Sequence, residues 1–104
     1  MSEPTVTREE RLLEVLKILP YLRSKHPLYH EEFDAIRALI REHRLEVNEV
    51  SIELEVLKTE RAGYEAENQI RLSSGEALAY GADAFQELAE RMKGLNARVM
   101  VKEG

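Results

Sequence analysis

Two histidines, His26 and His30, stand four residues apart and are followed by Glu31. Two imidazoles and a carboxylate are a common ligand set for zinc or iron, so these three residues are the candidate metal site of the chain. Pro27 weakens this hypothesis, because a helix that begins after the proline leaves His26 outside it and separates the two imidazoles. We therefore expect capping histidines and no bound cofactor, with a metal site as the alternative.

A histidine-dependent enzyme would have to use these histidines, Tyr29 or His43. His43 is predicted near the C-terminal end of a helix, where the helix dipole favours a cation, so its expected role is capping. A general base also needs a nucleophile or an acid within hydrogen-bonding distance, and the sequence shows none. The chain has no cysteine, which excludes disulfides, thiolate metal sites and cysteine nucleophiles. Enzymatic activity is accordingly the second interpretation of this sequence.

Four glutamates, Glu53, Glu55, Glu65 and Glu67, alternate with other residues on the two sides of a segment that contains Gly63. If two strands paired about that segment, the four carboxylates would share one outward face, with Glu55 opposite Glu67. Catalytic carboxylates need a concave site and a raised pKa on one member, which an open sheet does not offer. We interpret the four glutamates as a solvated face, with a binding surface as the alternative.

Hydrophobic periodicity predicts two N-terminal helices. Thr7 and Glu10 have the spacing of a capping box, and apolar residues recur at helical spacing from Leu12 to Leu22. Pro20 lies inside this stripe and should kink or end the first helix. A second helix is predicted over residues 29–44.

Beyond residue 45 the hydrophobic period changes to two, which predicts strands at 50–56, 66–72 and 97–102. A third helix should begin at the capping box of Ser73 and end at Gly94. The sequence therefore predicts a single α+β domain over residues 1–104. In this fold, two helices precede a β-β-α-β unit, and helices cover one face of a three-stranded sheet of order 2-1-3.

An all-α coiled-coil hairpin is the alternative fold, because residues 33–64 also fit a heptad seam that continues from the second helix. That seam would contain His43 and Arg61 and would leave Ile52 outside it. The period-two pattern of strands accounts for more of the apolar residues than the heptad seam does, so the strand assignment is preferred.

The composition and net charge of the chain limit the classes of molecule that it is expected to bind. The 104-residue chain contains 43% hydrophobic residues and carries a formal net charge of −5. This is apolar enough for one core, whereas the negative charge repels phosphate backbones and anionic lipids. We expect neither a nucleic acid nor a membrane partner. The absence of cysteine and of a signal-like N-terminus favours a cytoplasmic location.

Protein interaction is the remaining functional class. The first helix has more apolar residues than one stripe can bury, and the third strand is predicted to be an open sheet edge. Both features favour a small non-enzymatic interaction or regulatory module that acts through a homodimer or a partner protein. The predicted interaction surface consists of Leu12, Leu13, Ile18, Glu53, Glu55, Glu65 and Glu67.

Overall fold

The computed structural model describes residues 7–103, with side chains described for residues 7–95, and every long element in it is a helix. The helices are α1 (Arg8–Lys25), α2 (His30–Glu42), α3 (Glu49–Ser73) and α4 (Ala82–Glu103), and a 3-10 turn (Pro27–Tyr29) joins α1 to α2. The predicted α+β class is wrong, because this part of the chain forms no strand and no sheet.

The two strands predicted between residues 50 and 72 lie within the single helix α3. Val50, Leu57 and Tyr64 are seven residues apart and face one hydrophobic core, whereas Ile52 and Val56 face another. A helix that is buried on two sides carries more apolar residues than one stripe, and over a short window this excess resembles the alternation of a strand. The apparent period of two in the apolar residues therefore arises because α3 has two buried faces.

The third predicted strand, residues 97–102, belongs to α4, so the open sheet edge does not exist. The Ser73 capping box is also wrong, because Ser73 ends α3 and α4 begins nine residues later at Ala82. The helix that was expected to end at Gly94 continues to Glu103. The all-α class of the alternative fold agrees with the structure, but residues 43–48 separate α2 from α3, so the heptad seam does not continue from the second helix as a coiled-coil hairpin.

The N-terminal helix begins where the sequence predicts. The Thr7 side chain accepts a hydrogen bond from the backbone N–H of Glu10 at 3.1 Å, and α1 starts at Arg8. This bond satisfies one of the four N–H groups that a helix start leaves without an intrahelical partner. Of the two outcomes predicted for Pro20, a kink or an end of the helix, the structure excludes the end, because Pro20 lies inside α1, which continues to Lys25.

Two hydrophobic cores share α3. The larger core joins α1, α2 and the first half of α3, and its buried members are Leu12, Val15, Leu19, Leu22, Phe33, Ile36, Ile40, Ile52 and Val56. The smaller core joins α3 to α4, and its buried members are Val50, Leu57, Tyr64, Leu88 and Leu95. Over the described range, α1 and α4 both pack against α3 without approaching each other closely.

The start of α1 is tied to the loop between α2 and α3. The Arg8 guanidinium donates hydrogen bonds to the backbone carbonyls of Arg44 and Val47 and lies 3.8 Å from the buried carboxylate of Glu49. Arg44 in turn pairs with Glu9 at 2.6 Å. These contacts fix the position of α1 along α3, and this position defines the space between α1 and α4.

Candidate functional site

A groove with a volume of about 700 Å³ lies between α1 and α4. Val56 and Leu57 of α3 form its floor, Val15 and Ile18 of α1 form one wall, and Leu95 of α4 contributes to the other. The groove exists because both walls pack against the same helix but not against each other. A mostly apolar concave lining of this size is typical of a binding site.

Charged side chains border the groove in pairs of opposite sign. The pairs are Arg11 with Glu53 at 2.9 Å, Lys17 with Glu14 at 3.5 Å, and Arg91 with Glu60 at 3.5 Å. Gly94 interrupts the α4 wall, and a Cβ added there would meet no atom within 4 Å. A partner backbone can therefore approach α4 closely at this point.

Two of the seven residues of the predicted interaction surface line the groove, namely Ile18 and Glu53. Ile18 is 38% exposed, and Glu53 is half-buried. Leu12 is fully buried in the larger core, so its assignment to a surface is wrong. Leu13 is 43% exposed but lies outside the groove lining.

The other three glutamates of the predicted surface lie along α3 outside the groove lining, and each pairs within that helix. Glu55 is 3.8 Å from Lys58, Glu65 is 3.9 Å from Arg61, and Glu67 is 3.2 Å from Arg71. The predicted convergence of carboxylates on a hairpin face is therefore wrong, because no hairpin forms. Solvated pairs of this kind contribute little to stability.

Lys25, the last residue of α1, lies among three tyrosines at one end of the groove. Its Nζ is 5.7 Å from the ring centroid of Tyr21, 5.3 Å from that of Tyr64 and 5.5 Å from that of Tyr80. Because the Tyr64 and Tyr80 rings stack on each other, an ammonium group at these distances lies beside the edges of the stacked pair and not over the faces of both rings. We call Tyr21, Tyr64 and Tyr80 the tyrosine cage.

Asn68 fixes one ring of the tyrosine cage. Its side-chain amide donates a hydrogen bond to the backbone carbonyl of Tyr80 at 2.8 Å and accepts one from the backbone N–H of Tyr80 at 3.0 Å. The two bonds hold the loop between α3 and α4 against α3. The Tyr80 ring consequently stacks on that of Tyr64, with centroids 3.9 Å apart and planes 12° apart.

His26 lies behind the tyrosine cage and is only 4% exposed. Its ring centroid is 5.4 Å from that of Tyr64, and its Nε2 is buried without a hydrogen-bond partner. Gly63 makes room for the imidazole, since a Cβ at that position would lie 2.4 Å from His26 Nδ1. Burial lowers the pKa of His26, and the nearby Lys25 ammonium lowers it further, against an opposing effect of Glu67.

Glu60 is also buried, with 3% exposure, and connects the tyrosine cage to the groove. One carboxylate oxygen lies 3.5 Å from Arg91, which lines the groove, while Oε1 is buried without a hydrogen-bond partner. Burial raises the pKa of Glu60, and the positive charges of Arg91 and Lys25 offset part of this effect. Glu60 therefore interacts with the groove through Arg91 and with the tyrosine cage through Lys25.

The structure does not bring the predicted metal ligands together. His26 is buried in the interior, whereas His30 and Glu31 are exposed and the His30 ring nitrogen Nδ1 lies 2.8 Å from the carbonyl of Pro27. Across the residues described, no group of three or more histidines and carboxylates has an arrangement that could hold a metal ion.

Two other residues were candidates for a histidine-dependent enzyme, namely His43 and Tyr29. His43 is exposed at the end of α2 and lies 3.2 Å from Glu46, while Tyr29 is half-buried against the larger core.

Sequence reasoning missed the tyrosine cage because its members come from three elements. One local signal was present: Tyr21 and Lys25 are four residues apart, as are Tyr64 and Asn68, so each pair shares a face if the segment is helical. The kink or helix end expected at Pro20 and the strand assigned around residue 68 concealed both pairs.

Acidification should destabilise the protein through His26. Its pKa in the folded state lies below the ordinary value of 6.5, so the unfolded chain binds this proton at a higher pH than the folded chain. The stabilisation is present above the ordinary pKa and is lost as the pH falls through the folded-state pKa.

We expect urea denaturation between about pH 7.5 and pH 5 to show a larger loss of unfolding free energy for the wild type than for His26→Phe, which does not titrate. The exposed His30 and His43 are common to both proteins. If the unfolding free energy of the two proteins depended equally on pH, the assignment of this pH dependence to His26 would be contradicted.

Comparisons with protein-family models, with curated proteins and with solved structures find no match to this chain. None of its helices, as far as they are described, combines the length and the apolar composition that crossing a bilayer requires. Functional inference therefore starts from the structure itself.

Proposed function

We propose that this protein is a protein-interaction module whose groove between α1 and α4 binds an α-helix, and that the helix is α1 of a second copy of the chain. The observation that carries the proposal is that two helices pack on α3 and leave an apolar space between them. An amphipathic helix laid in such a groove buries its apolar face on three helices at once. The resulting contact is self-complementary if the two chains exchange equivalent helices.

The charge distribution of α1 favours a second copy as the occupant. The C-terminal half of α1 carries only positive charges, at Lys17, Arg23 and Lys25. The N-terminal half has three carboxylates against two guanidinium groups: Glu9, Glu10, Glu14, Arg8 and Arg11. A two-fold axis perpendicular to α1 pairs two copies antiparallel and places the acidic half of each opposite the basic half of the other. Opposed potentials of this kind guide association and fix its register.

The apolar face of α1 fits the same arrangement. Ile18 lies near the middle of α1, lines the groove and keeps 38% of its surface exposed in the single chain. Tyr21, one turn further along the same face, is also exposed. In an antiparallel pair these side chains meet their equivalents, and each copy covers the Val56 and Leu57 floor of the other.

A cytoplasmic setting belongs to the same proposal, because a chain without cysteine gains nothing from an oxidising compartment. A histidine-dependent enzyme receives less support. Its central candidate, His26, is enclosed by rings and by Gly63, and it has no neighbouring nucleophile among the contacts of its imidazole.

Sedimentation equilibrium at micromolar to submillimolar concentration tests the proposal. We expect the wild type to have twice the mass of the chain, and Ile18→Glu to be monomeric, because a carboxylate without a partner in the dry interface should weaken association by at least about 100-fold. Leu13→Glu is the matched control: it makes the same change on the same helix at a residue of similar exposure outside the groove.

A helical far-UV circular dichroism spectrum checks that both variants remain folded. A monomeric wild type would overturn the choice of a second copy and leave the helix of another protein as the occupant. A dimer that survives Ile18→Glu would exclude the groove as the interface.

A further inference from the structure

A second concavity, with a volume of about 560 Å³, lies between α1 and α2. The buried side chains of Leu19 and Phe33 form its base, and the exposed Pro20 and Ala38 lie beside them. We call it the α1–α2 concavity. None of the described residues that line it also lines the groove between α1 and α4. A ligand bound there therefore uses a different surface from the one proposed for the second copy.

Two exposed arginines of α2, Arg37 and Arg41, line the α1–α2 concavity. They are one helical turn apart, so their side chains share a face of α2. Every other arginine whose side chain is described lies within 3.9 Å of a carboxylate, whereas these two have no such partner in the same part of the chain. Because acidic residues outnumber basic ones in this sequence, two neighbouring guanidinium groups without carboxylates are an exception that calls for a ligand.

Two carboxylates, those of Asp34 and Glu42, also line the α1–α2 concavity. Asp34 is three residues before Arg37, but its carboxylate accepts a hydrogen bond from Arg23 of α1 at 2.9 Å. Glu42 directly follows Arg41, and adjacent residues of a helix do not face each other. With Asp34 neutralised by Arg23, two guanidinium groups remain against one carboxylate, and the α1–α2 concavity carries a local positive charge.

We propose that the α1–α2 concavity binds one phosphate monoester group between the guanidinium groups of Arg37 and Arg41. A guanidinium presents a planar fork of N–H donors to an oxyanion. A phosphate monoester has three acceptor oxygens and carries nearly two negative charges at neutral pH, so it matches two guanidinium groups in charge and in donor number. A carboxylate carries one charge and is matched by a single guanidinium. The net charge of −5 disfavours a polyanion such as a nucleic acid, so the ligand carries a single phosphate group.

Titration of the isotope-labelled protein with phenyl phosphate, at about pH 7 and constant ionic strength, tests this site by NMR. We expect saturable shifts of the Nε–H signals of Arg37 and Arg41, with a dissociation constant in the millimolar range because the site is exposed to solvent. Arg37→Gln and Arg41→Gln should each weaken binding at least about fivefold, because each variant loses one charge-assisted pair of hydrogen bonds. Glu42→Gln should strengthen binding about twofold, because it removes the remaining negative charge.

Arg61→Gln is the matched control, since it removes the same charge from an exposed helical residue outside the α1–α2 concavity. We expect it to leave the affinity for phenyl phosphate unchanged. An effect of Arg61→Gln as large as that of Arg37→Gln would overturn the proposal, because phenyl phosphate would then respond only to overall charge. The proposal also fails if the Arg37 and Arg41 signals of the folded wild type do not shift.

Benzoate is the control ligand, because it has the same ring with a carboxylate in place of the phosphate. We expect it to bind at least about fivefold more weakly than phenyl phosphate, since it carries one negative charge in place of nearly two. Equal affinities for the two ligands would overturn the choice of a phosphate.

Two sources of the phosphate group are separated by a further titration with a short peptide that contains one phosphotyrosine, alongside the same peptide without the phosphate. A phosphopeptide that binds more tightly than phenyl phosphate supports a modified side chain as the natural ligand, whereas equal or weaker binding supports a free phosphate monoester. Ile18→Glu, the variant expected to be monomeric, should bind phenyl phosphate as the wild type does, so failure of the dimer and failure of this site are distinguishable.

Discussion

Leu12→Ala will lower the free energy of unfolding by about 3–5 kcal/mol, whereas Leu13→Ala, at the next residue of α1, will lower it by less than about 1 kcal/mol. The side chain of Leu12 is 0% exposed and belongs to the larger core, while that of Leu13 is 43% exposed. Truncation at Leu12 loses the transfer free energy of the buried carbon atoms and leaves a cavity between α1, α2 and α3.

Urea denaturation monitored by circular dichroism measures both values. The comparison is sensitive because successive residues of a helix point about 100° apart, so a wrong rotation of α1 would reverse the order of the two variants. A larger loss for Leu13→Ala than for Leu12→Ala would mean that the opposite face of α1 is buried. Equal small losses would mean that the larger core is not packed as described.

Gly63→Ala will destabilise the protein by about 2–3 kcal/mol, although alanine normally favours a helix over glycine. An added Cβ at residue 63 would lie 2.4 Å from Nδ1 and 2.6 Å from Cγ of His26. The imidazole has no free space to retreat into, because the rings of Phe33 and Tyr64 surround it and it is 4% exposed. The clash must therefore be relieved by moving α1 away from α3.

Gly94→Ala is the matched control, because it makes the same change within a helix where a Cβ meets nothing within 4 Å. We expect it to be neutral or to stabilise the chain by up to about 1 kcal/mol. A double-mutant cycle with His26→Ala tests whether the imidazole is the cause. In the His26→Ala background, Gly63→Ala should lower the free energy of unfolding by much less than it does in the wild type. An equal loss of unfolding free energy in that background would show that the added Cβ does not clash with His26.

The sequence predicted the N-terminal part of the fold better than the rest. The Thr7 cap, the start of α1 at Arg8 and the position of α2 follow from local signals: a capping side chain and an apolar stripe on one face of a helix. The predicted second helix, 29–44, differs from the observed α2 by no more than two residues at either end. Elements with a single buried face obey the simple periodicity rules.

The errors begin where a helix has two buried faces. In α3, Val50 faces α4 and Ile52 faces α1 and α2, so apolar residues two apart are both buried without a strand. In α4, Gly94 predicts a helix end because glycine is common just after one, yet it lies mid-helix beside the groove. The two buried faces of α3 and the position of Gly94 beside the groove both depend on tertiary packing between helices, which local sequence patterns do not encode.

The candidate site was less predictable than the fold, because its residues meet only through tertiary packing. The tyrosine cage needs the end of α1, the middle of α3 and the loop before α4 to converge, and no spacing in the sequence encodes that convergence. The groove is defined by the distance between two helices that are far apart in the chain. Only Ile18 and Glu53 of its lining were singled out from the sequence, and for other reasons.

Because α3 is enclosed by neighbours, little of its surface is left for attachment of chemical probes. Between residues 51 and 69 its exposed side chains form one narrow strip at spacings of three and four residues: Ser51, Glu55, Lys58, Arg61, Glu65 and Gln69. The chain contains no cysteine, so a cysteine introduced on this strip is the sole thiol for a spin label or fluorophore. A label at residue 58 would report on the helix that joins both cores while touching neither of them.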